Sequence, residues 1–305
     1  LGDGTTKGRP TPKQIGTGYA AVATFTHTVA LKDDGSLWAW GGNLLGQLGD
    51  GTTSNSRLPK KIGTGYSAVA AGYFHTVALK SDGSLWAWGH NAYGQLGDGS
   101  TEDSLVPKLI DTGYSAIAAG SLHTVALKPD GSLWSWGSNV DGQLGDGTTS
   151  ASLVPKRIGG GYSAGAAGSL HTVALKSDGS LWTWGFNLGG QLGDGSTTDR
   201  HVPTRIGAGY AAIAAGGTHS VFLRFDGSLW AAGLNSNGQL GDGTTAERHV
   251  PRQIGAGYAA AAVGRGSSGS HTVALKWDGS LWAWGLNGTG QLGDGTTADS
   301  LVPKQ

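Results

Sequence analysis

Histidine is the residue type whose spacing in this sequence most resembles a chemical site. The run His-Thr-Val-Ala-Leu recurs at His27, His75, His123, His171 and His271, and His-Ser-Val-Phe-Leu stands at His219. Imidazole is a common zinc ligand, but a metal ion needs ligands that converge on one point. Equivalent side chains of a radially repeated unit are held apart. We therefore predict no metal site and expect each imidazole to hydrogen-bond a neighbouring backbone group.

Two further motifs could carry chemistry. The stretch Gly161 to Gly165 matches Gly-x-Ser-x-Gly, the pattern of a nucleophilic serine, but that pattern needs a strand-to-helix turn and no helical pattern follows it. The repeated Gly-Asp-Gly turns offer one carboxylate each, too few oxygen ligands for calcium, and their Asp is better suited to capping its own turn. The chain has no cysteine. We predict no catalytic residue, no cofactor and no enzymatic activity.

Pairs of tryptophans recur and could stack on sugars or pack between repeats. Their regular spacing favours packing. In one copy Trp230 is kept, Ala232 replaces the second Trp, and Phe222 replaces an Ala. The turn register predicts that Phe222 opposes Trp230 and lies diagonal to Ala232. One aromatic ring lost and one gained is what a core of constant volume requires.

The elements that must position these residues come from one unit repeated six times. Gly-Gln-Leu-Gly-Asp-Gly starts at residues 46, 94, 142, 190, 238 and 290, with an insertion at Arg265 to Ser270 in the last interval. In the second copy we predict strands at 67–71, 75–80, 85–88 and 105–110, and no segment has the apolar period of a helix. Four antiparallel strands repeated radially predict an all-β fold, a β-propeller of four-stranded antiparallel blades.

The repeats define the domain organisation. We predict a single propeller domain over 1–305 with repeats at approximately 18–64, 65–112, 113–160, 161–208, 209–256 and 257–305, and with 1–17 as a partial extra repeat. Six blades are expected, with part of a seven-bladed ring as the alternative, because the outer Pro-containing strand occurs seven times. We expect the C-terminal copy to complete the last blade, which leaves Leu1 to Ile15 disordered or paired with a neighbouring molecule.

The repeated motifs resemble a known family. Ala-Ala-Gly-x-x-His-Thr-Val-Ala-Leu, Asp-Gly-Ser-Leu-Trp-Ala-Trp-Gly and Asn-x-x-Gly-Gln-Leu-Gly-Asp-Gly-Thr-Thr are similar to the regulator of chromosome condensation repeat, in its bacterial form. The resemblance implies a propeller, usually of seven blades. It also implies possible roles, since the founding member is a nucleotide-exchange factor for a small GTPase and a bacterial relative inhibits β-lactamase. We do not expect the exchange role, because nothing beyond the insertion at Arg265 to Ser270 resembles a projecting wedge.

Composition limits the classes of partner. The formal net charge is zero, 14% of residues are charged, and no basic run exists, so we predict no nucleic-acid binding. The longest apolar stretches are far shorter than a bilayer requires, so we predict no membrane insertion. Many Gly, Ser and Thr residues with few charges favour a secreted protein, located extracellularly or at the cell surface, and the resemblance to the bacterial form of the repeat implies a bacterial one.

Differences between the copies indicate the binding surface. The loops between the first and second strands and between the third and fourth strands lie at one end of each blade, and the copies vary there, whereas the end with the Asp-Gly turns is nearly constant. Exposed aromatic and aliphatic residues at such a face suggest a protein partner. The predicted partner-binding residues are Phe25, Leu44, Leu45, Tyr73, Phe74, His90, Tyr93, Leu122, Val140, Leu170, Phe186 and Leu188.

These observations favour a non-enzymatic scaffold that presents one variable loop face to a protein. One alternative is a structural subunit of an extracellular assembly that self-associates through the surplus terminal strand. Another is a protein inhibitor of an enzyme. Drift in surface loops without function would also make the copies differ.

Overall fold

The computed structural model describes residues 1–265 and 270–305, in which the chain forms twenty-four strands. The first strands of the repeats are β1 (Tyr19–Thr24), β5 (Tyr66–Ala71), β9 (Ala116–Ala119), β13 (Tyr162–Ala167), β17 (Tyr210–Ala215) and β21 (Tyr258–Val263). The second strands are β2 (His27–Lys32), β6 (His75–Lys80), β10 (His123–Leu127), β14 (His171–Lys176), β18 (His219–Arg224) and β22 (His271–Lys276). The third strands are β3 (Leu37–Gly41), β7 (Leu85–Gly89), β11 (Leu133–Gly137), β15 (Leu181–Gly185), β19 (Leu229–Gly233) and β23 (Leu281–Gly285). The outer strands are β4 (Ser56–Gly63), β8 (Ser104–Asp111), β12 (Ser152–Gly159), β16 (Arg200–Gly207), β20 (Arg248–Gly255) and β24 (Ser300–Lys304).

Each run of four consecutive strands forms its own antiparallel sheet, and no helix occurs in the described parts of the chain. The fold is a six-bladed β-propeller. The predicted fold class is therefore confirmed, and the number of blades is six, as expected, and not seven. The predicted insertion at Arg265 to Ser270 lies largely outside the described residues, because residues 266–269 are not among them.

The hairpin between the second and third strands shows why this sequence folds locally as it does. In the second blade Asp82 accepts a hydrogen bond from the backbone N–H of Ser84 at 2.9 Å, and Gly83 takes a positive φ of 78° that favours glycine. This turn sets a register in which Ala78 opposes Trp86 and Thr76 opposes Trp88. The two tryptophans then lie on the same face of the sheet.

Within each unit the hydrophobic core lies between successive blades. Leu31 and Leu37 of the first blade pack with Tyr66, Ala78 and Trp88 of the second, and all five are buried. The second tryptophan of each pair is thus a packing residue, as predicted. The first is half-buried, as in Trp86, whose indole face is covered by the Lys80 ammonium at 4.1 Å from the ring centroid.

The fifth blade confirms the predicted exchange of aromatic rings. Phe222 pairs with Trp230 across β18 and β19, two residues along from the Ser220 and Ala232 pair and so on the same face of the sheet. The Phe222 ring contacts the Tyr210 ring edge-on at 5.8 Å, where Tyr258 and Trp284 meet at 6.4 Å in the sixth blade. Phe222 therefore takes over the tyrosine contact of the missing indole.

The chain divides into two compact units. The first comprises Leu1–Lys7, Gln14–Val140 and Thr148–Gly165, and contains the first three blades. The second comprises Gly8–Lys13, Asp141–Gly147 and Ala166–Gln305, and contains the fifth and sixth blades with most of the fourth. The single domain expected over 1–305 stays a prediction.

The two ends of the chain are used differently. β24 pairs with β23, so the C-terminal copy of the outer strand completes the sixth blade, as predicted. The expectation that Leu1 to Ile15 is free of its own chain is wrong. Gly4 N–H donates to the carbonyl of Arg57 at 3.0 Å, and Gly295 N–H donates to the carbonyl of Pro10 at 2.8 Å. Glycines of the other repeats make the same contact with the outer strand of the following blade, as in Gly51 and Leu105.

Candidate functional site

The two variable loops of a blade meet at the same end, as the sequence predicted. In the second blade the backbone N–H of His90 donates to the carbonyl of Phe74 at 2.9 Å, which joins the loop after β7 to the loop before β6. The third blade repeats this bond between Ser138 and Leu122 at 2.8 Å. The residues that differ between copies are therefore presented side by side.

A buried hydrogen-bond network holds the loop between the third and fourth strands. In the first blade the Asn43 amide donates to the carbonyl of Thr52 at 2.9 Å and accepts from the backbone N–H of Leu48 at 2.9 Å. The Gln47 side chain accepts from the N–H of Leu45 at 3.0 Å. These contacts use the constant residues of the motif and leave Leu44, the residue after Asn43, exposed. The motif is a support for variable residues.

The constant aspartate of this loop is held ionised by its neighbours. Asp50 accepts from the backbone N–H of Thr52 at 3.1 Å and from the Lys60 ammonium at 2.6 Å. Partial burial by itself raises the pKa of Asp50, but hydrogen bonds from Lys60, Thr52 and Asn43 outweigh it and lower the pKa to about 2. Asp50 thus caps its own turn, in agreement with the sequence analysis.

The recurrent histidines connect one blade to the next. His27 Nε2 lies 2.7 Å from the Thr76 hydroxyl, which donates to the carbonyl of Gln47 at 2.8 Å. The Trp88 indole donates to the same carbonyl at 3.0 Å. The expectation that each imidazole bonds a backbone group is wrong for His27, His75, His171 and His219, because the Nε2 partner of each is a hydroxyl of the following repeat. No group of three or more His, Asp or Glu in the described parts of the chain could hold a metal ion.

Five of the predicted binding residues form one aromatic cluster in the first unit, consisting of Phe25, Tyr73, Phe74, His90 and Tyr93. The ring centroids lie 5.0 Å apart for Phe25 and Tyr73, and 4.3 Å apart for Tyr73 and Phe74. His90 lies 6.3 Å from both Phe74 and Tyr93. Each pair meets edge to face, the arrangement that aromatic quadrupoles favour. The cluster spans the loops of the first two blades.

Hydrogen bonds from Thr26 and Gln95 hold the aromatic cluster in place. The Thr26 hydroxyl donates to the carbonyl of Tyr73, and the Gln95 amide lies 2.8 Å from His90 Nδ1. The same Gln95 side chain accepts from the backbone N–H of Tyr93 at 3.0 Å. Tyr93 is 43% exposed, and the other four rings are half-buried. The rings of the cluster are therefore partly exposed to solvent, and hydrogen bonds to the loops fix their positions.

The remaining predicted residues take two positions. Three of the seven are exposed, and the other four are half-buried. In the first unit Leu44 and Val140 are exposed, and Leu45 and Leu122 are half-buried. In the second unit Leu188 is exposed, and Leu170 and Phe186 are half-buried. Ring contacts join only the five members of the aromatic cluster among these twelve residues, in the part of the chain that the structure describes.

Two exposed aromatics at the Asp-Gly turns were missed by the sequence analysis. Phe225 and Trp277 precede these turns in the fifth and sixth blades, and both are exposed. Each packs on the turn glycine of the preceding blade, Phe225 on Gly179 and Trp277 on Gly227. The end with the Asp-Gly turns is thus less uniform than predicted. The signal was available, since the other copies have Asp, Ser or Pro at this place.

The Gly-x-Ser-x-Gly stretch does not form the site of a nucleophilic serine. Ser163 lies within β13, which is followed by β14 and not by a helix, so the geometry of a nucleophilic serine is missing.

The described residues include no helix with the length and apolar character to cross a membrane.

Comparison with known proteins agrees with the fold. The structure of yeast RCC1 (Prp20) bound to Kap60 matches with a TM-score of 0.83 at 25% identity, covering 94% of this chain and 74% of that one. The structure of Prp20p from Saccharomyces cerevisiae, described with its binding properties to Gsp1p and histones, matches with a TM-score of 0.83 at 25% identity over 94% of this chain and 76% of that one. Human WBSCR16 matches with a TM-score of 0.85 at 24% identity, covering 97% of this chain and 84% of that one.

No curated protein matches the chain in sequence. The family profile described as RCC1-like domain matches residues 1–305. The chain therefore belongs to the family of RCC1-like domains.

Proposed function

We propose that this chain is a non-enzymatic scaffold that binds a protein partner through the aromatic cluster and the exposed loop residues beside it. The observation that carries the proposal is the continuous contact of Phe25, Tyr73, Phe74, His90 and Tyr93 on loops that otherwise vary between repeats. Drift in unused loops would scatter such residues. Aromatic residues at the centre of an interface contribute most of its binding energy.

The rigidity of the loops supports the same proposal. Gln95 holds both His90 and Tyr93, so the ring edges are positioned before a partner arrives. A preorganised surface loses little side-chain entropy on binding. Members of the family bind proteins, as the structure of yeast RCC1 with Kap60 illustrates. Inhibition of an enzyme would use the same surface, and an extracellular or cell-surface location remains part of the proposal.

The proposal predicts a large loss of affinity when the aromatic cluster is truncated. A partner captured on the immobilised protein and then purified should bind the variant Phe25→Ala/Tyr93→Ala at least about thirtyfold more weakly, the equivalent of about 2 kcal/mol. Surface plasmon resonance with the purified partner measures this. Phe225→Ala serves as the matched control, because Phe225 is an exposed aromatic on an Asp-Gly turn. Equal losses in both variants, or no loss in the first, would rule out the aromatic cluster as the binding site.

Self-association is a second candidate, and the outward face of the sixth blade favours it. Leu281 is 59% exposed, whereas its counterpart Leu37 in the first blade is 0% exposed beneath Tyr66 and Trp88 of the next repeat. Leu275 on the adjacent strand is exposed as well. The first blade has an uncovered face of its own, because Val22 of β1 is 66% exposed. The sixth blade of one copy could therefore cover the first blade of another, a head-to-tail contact that extends an assembly.

Self-association predicts concentration-dependent oligomers. The average mass from light scattering should rise between micromolar and near-millimolar protein, and Leu281→Glu should abolish the rise because a carboxylate would be buried in the contact. Val106→Glu, on the exposed outer strand of the second blade, is the control and should still associate. A monomer at every concentration would leave only the first candidate.

A further inference from the structure

The fifth repeat departs from the other five at several neighbouring positions, of which three change an aromatic ring or a charged group. Phe222 stands where the other copies have Ala, Arg224 where they have Lys, and Ala232 where they have Trp. All three lie on β18 and β19, the two middle strands of the fifth blade. Phe222 is accounted for by its contact with Tyr210, but that contact explains neither the arginine nor the space beside Ala232.

Without the second indole, the glycine that precedes the fifth blade has no tryptophan packed against it. In the fourth blade the Trp184 indole donates to the carbonyl of Gln143 at 3.0 Å, and a Cβ placed on Gly145 would lie 2.6 Å from the indole nitrogen. The equivalent glycine before the fifth blade is Gly193. A Cβ placed there would meet the Pro251 ring at 3.2 Å and the Ala232 methyl at 3.4 Å. Phe222 is not among the nearest atoms to Gly193.

A cavity of about 470 Å³ opens at this place. Its lining includes Gly193, Pro251, Tyr210, Trp230, Arg224 and Arg205. The volume lies within the range of roughly 300–1,000 Å³ that is common for small-molecule sites. All the lining residues belong to the second unit.

The cavity has an excess of positive charge. Asp194 also lines it, but its carboxylate already accepts from Arg200 at 2.6 Å and from the Ser196 hydroxyl at 2.7 Å. The Nε of Arg224 is buried and has no hydrogen-bond partner among the described residues. Its guanidinium lies 4.2 Å from the centroid of the Trp230 ring and 5.1 Å from that of Tyr210. A buried cationic donor without an acceptor is costly, and a carboxylate would satisfy it with charge-assisted bonds.

We propose that the fifth blade contains a binding site for a small aromatic carboxylate. The ligand's planar ring occupies the space between Gly193, Pro251 and Trp230 that an indole fills in the other blades. Its carboxylate accepts from Arg224, and Arg205 adds to the positive potential. Lysine at position 224 would offer a flexible point charge, whereas arginine offers a planar pair of donors that matches a carboxylate. The replacement of Lys by Arg and of Trp by Ala in the same blade thus serves one ligand.

The test compares a charged with a neutral probe of the same ring. Isothermal titration calorimetry should show saturable binding of indole-3-acetate, and 3-methylindole should bind roughly ten- to a hundredfold more weakly. Arg224→Lys restores the residue of the other repeats and should reduce indole-3-acetate binding by about tenfold or more, without changing 3-methylindole binding. Ala232→Trp/Phe222→Ala restores the ordinary blade, fills the cavity and should abolish binding of both probes. Lys80→Arg, at the same place in a blade that keeps its Trp88, should bind like the unaltered protein.

Three results would overturn the proposal. Absence of saturable indole-3-acetate binding to the folded protein would show that the cavity is not a site for this class. Equal affinity for both probes would remove the role of Arg224. Undiminished binding to Ala232→Trp/Phe222→Ala, confirmed as folded by its melting curve, would place the site elsewhere.

Discussion

Acidification from pH 7.5 to about pH 5 should greatly lower the free energy of unfolding. Burial lowers the pKa of His27, His171 and His219 to about 3, from an ordinary value of 6.5. Below pH 6.5 the unfolded chain takes up protons that the folded chain cannot, so stability rises with pH between about 3 and 6.5 and is lost as the pH falls. At pH 5 each histidine costs about 2 kcal/mol, and three cost about 6 kcal/mol. That loss is comparable with the whole stability of a typical domain, about 5–15 kcal/mol.

Urea titrations at a series of pH values measure this loss. The aspartates of the loops act in a different range, because hydrogen bonds outweigh partial burial and lower the pKa of Asp50 and Asp98 to about 2. Their contribution is present above their ordinary value of 3.8 and is lost only as the pH falls toward 2. His171→Gln should reduce the slope of stability against pH, because it removes one buried imidazole. A flat profile between pH 7.5 and 5 would contradict the buried histidine contacts.

Gly49→Ala should destabilise the protein by about 2–5 kcal/mol, because two separate costs add. Gly49 has a positive φ of 77°, which costs an alanine about 1–2 kcal/mol. Its new Cβ would also lie 2.6 Å from the indole nitrogen of Trp88, a ring that is itself completely buried. Overpacking of this kind costs about 1–3 kcal/mol.

Two other glycines separate the costs. Gly65 has nearly the same φ, 79°, and no atom within 4 Å of its ideal Cβ, so Gly65→Ala should show the backbone cost alone. Gly193→Ala should fall between them, because Ala232 replaces the indole there. Equal losses of melting temperature for Gly49→Ala and Gly65→Ala would show that the glycine of this motif is not required for packing against tryptophan.

The repeat made most of the fold predictable. Six copies gave six estimates of each strand, and the turn residues Asp82 and Gly83 set a register that the structure reproduces. The histidine partner was not identified, although its signal was present. His27 and Thr76 are 49 residues apart, one more than the repeat, so the contact is repeated along the chain. Propensity and local pattern describe a residue's own repeat and do not reveal contacts with the next one.

The candidate site was predictable only in part. The variable loops identified Phe25, Tyr73, Phe74, His90 and Tyr93, but their edge-to-face contacts depend on how the first two blades pack. The cavity at Gly193 and Pro251 could not be seen from the sequence, because volume conservation by Phe222 implied a filled core. The Phe222 ring restores the contact of the missing indole with Tyr210 but is not among the atoms nearest to Gly193.

The most direct test of the proposed function is a photo-cross-link from the aromatic cluster. Benzoylphenylalanine at position 93 keeps an aromatic side chain at its exposed edge and should cross-link to the captured partner. The same residue at position 225, where the natural Phe225 is also exposed, should not. Mass spectrometry of the cross-linked peptides reads the result. Cross-links from position 225 and none from position 93 would contradict the account, because the partner would then bind at the Asp-Gly turns.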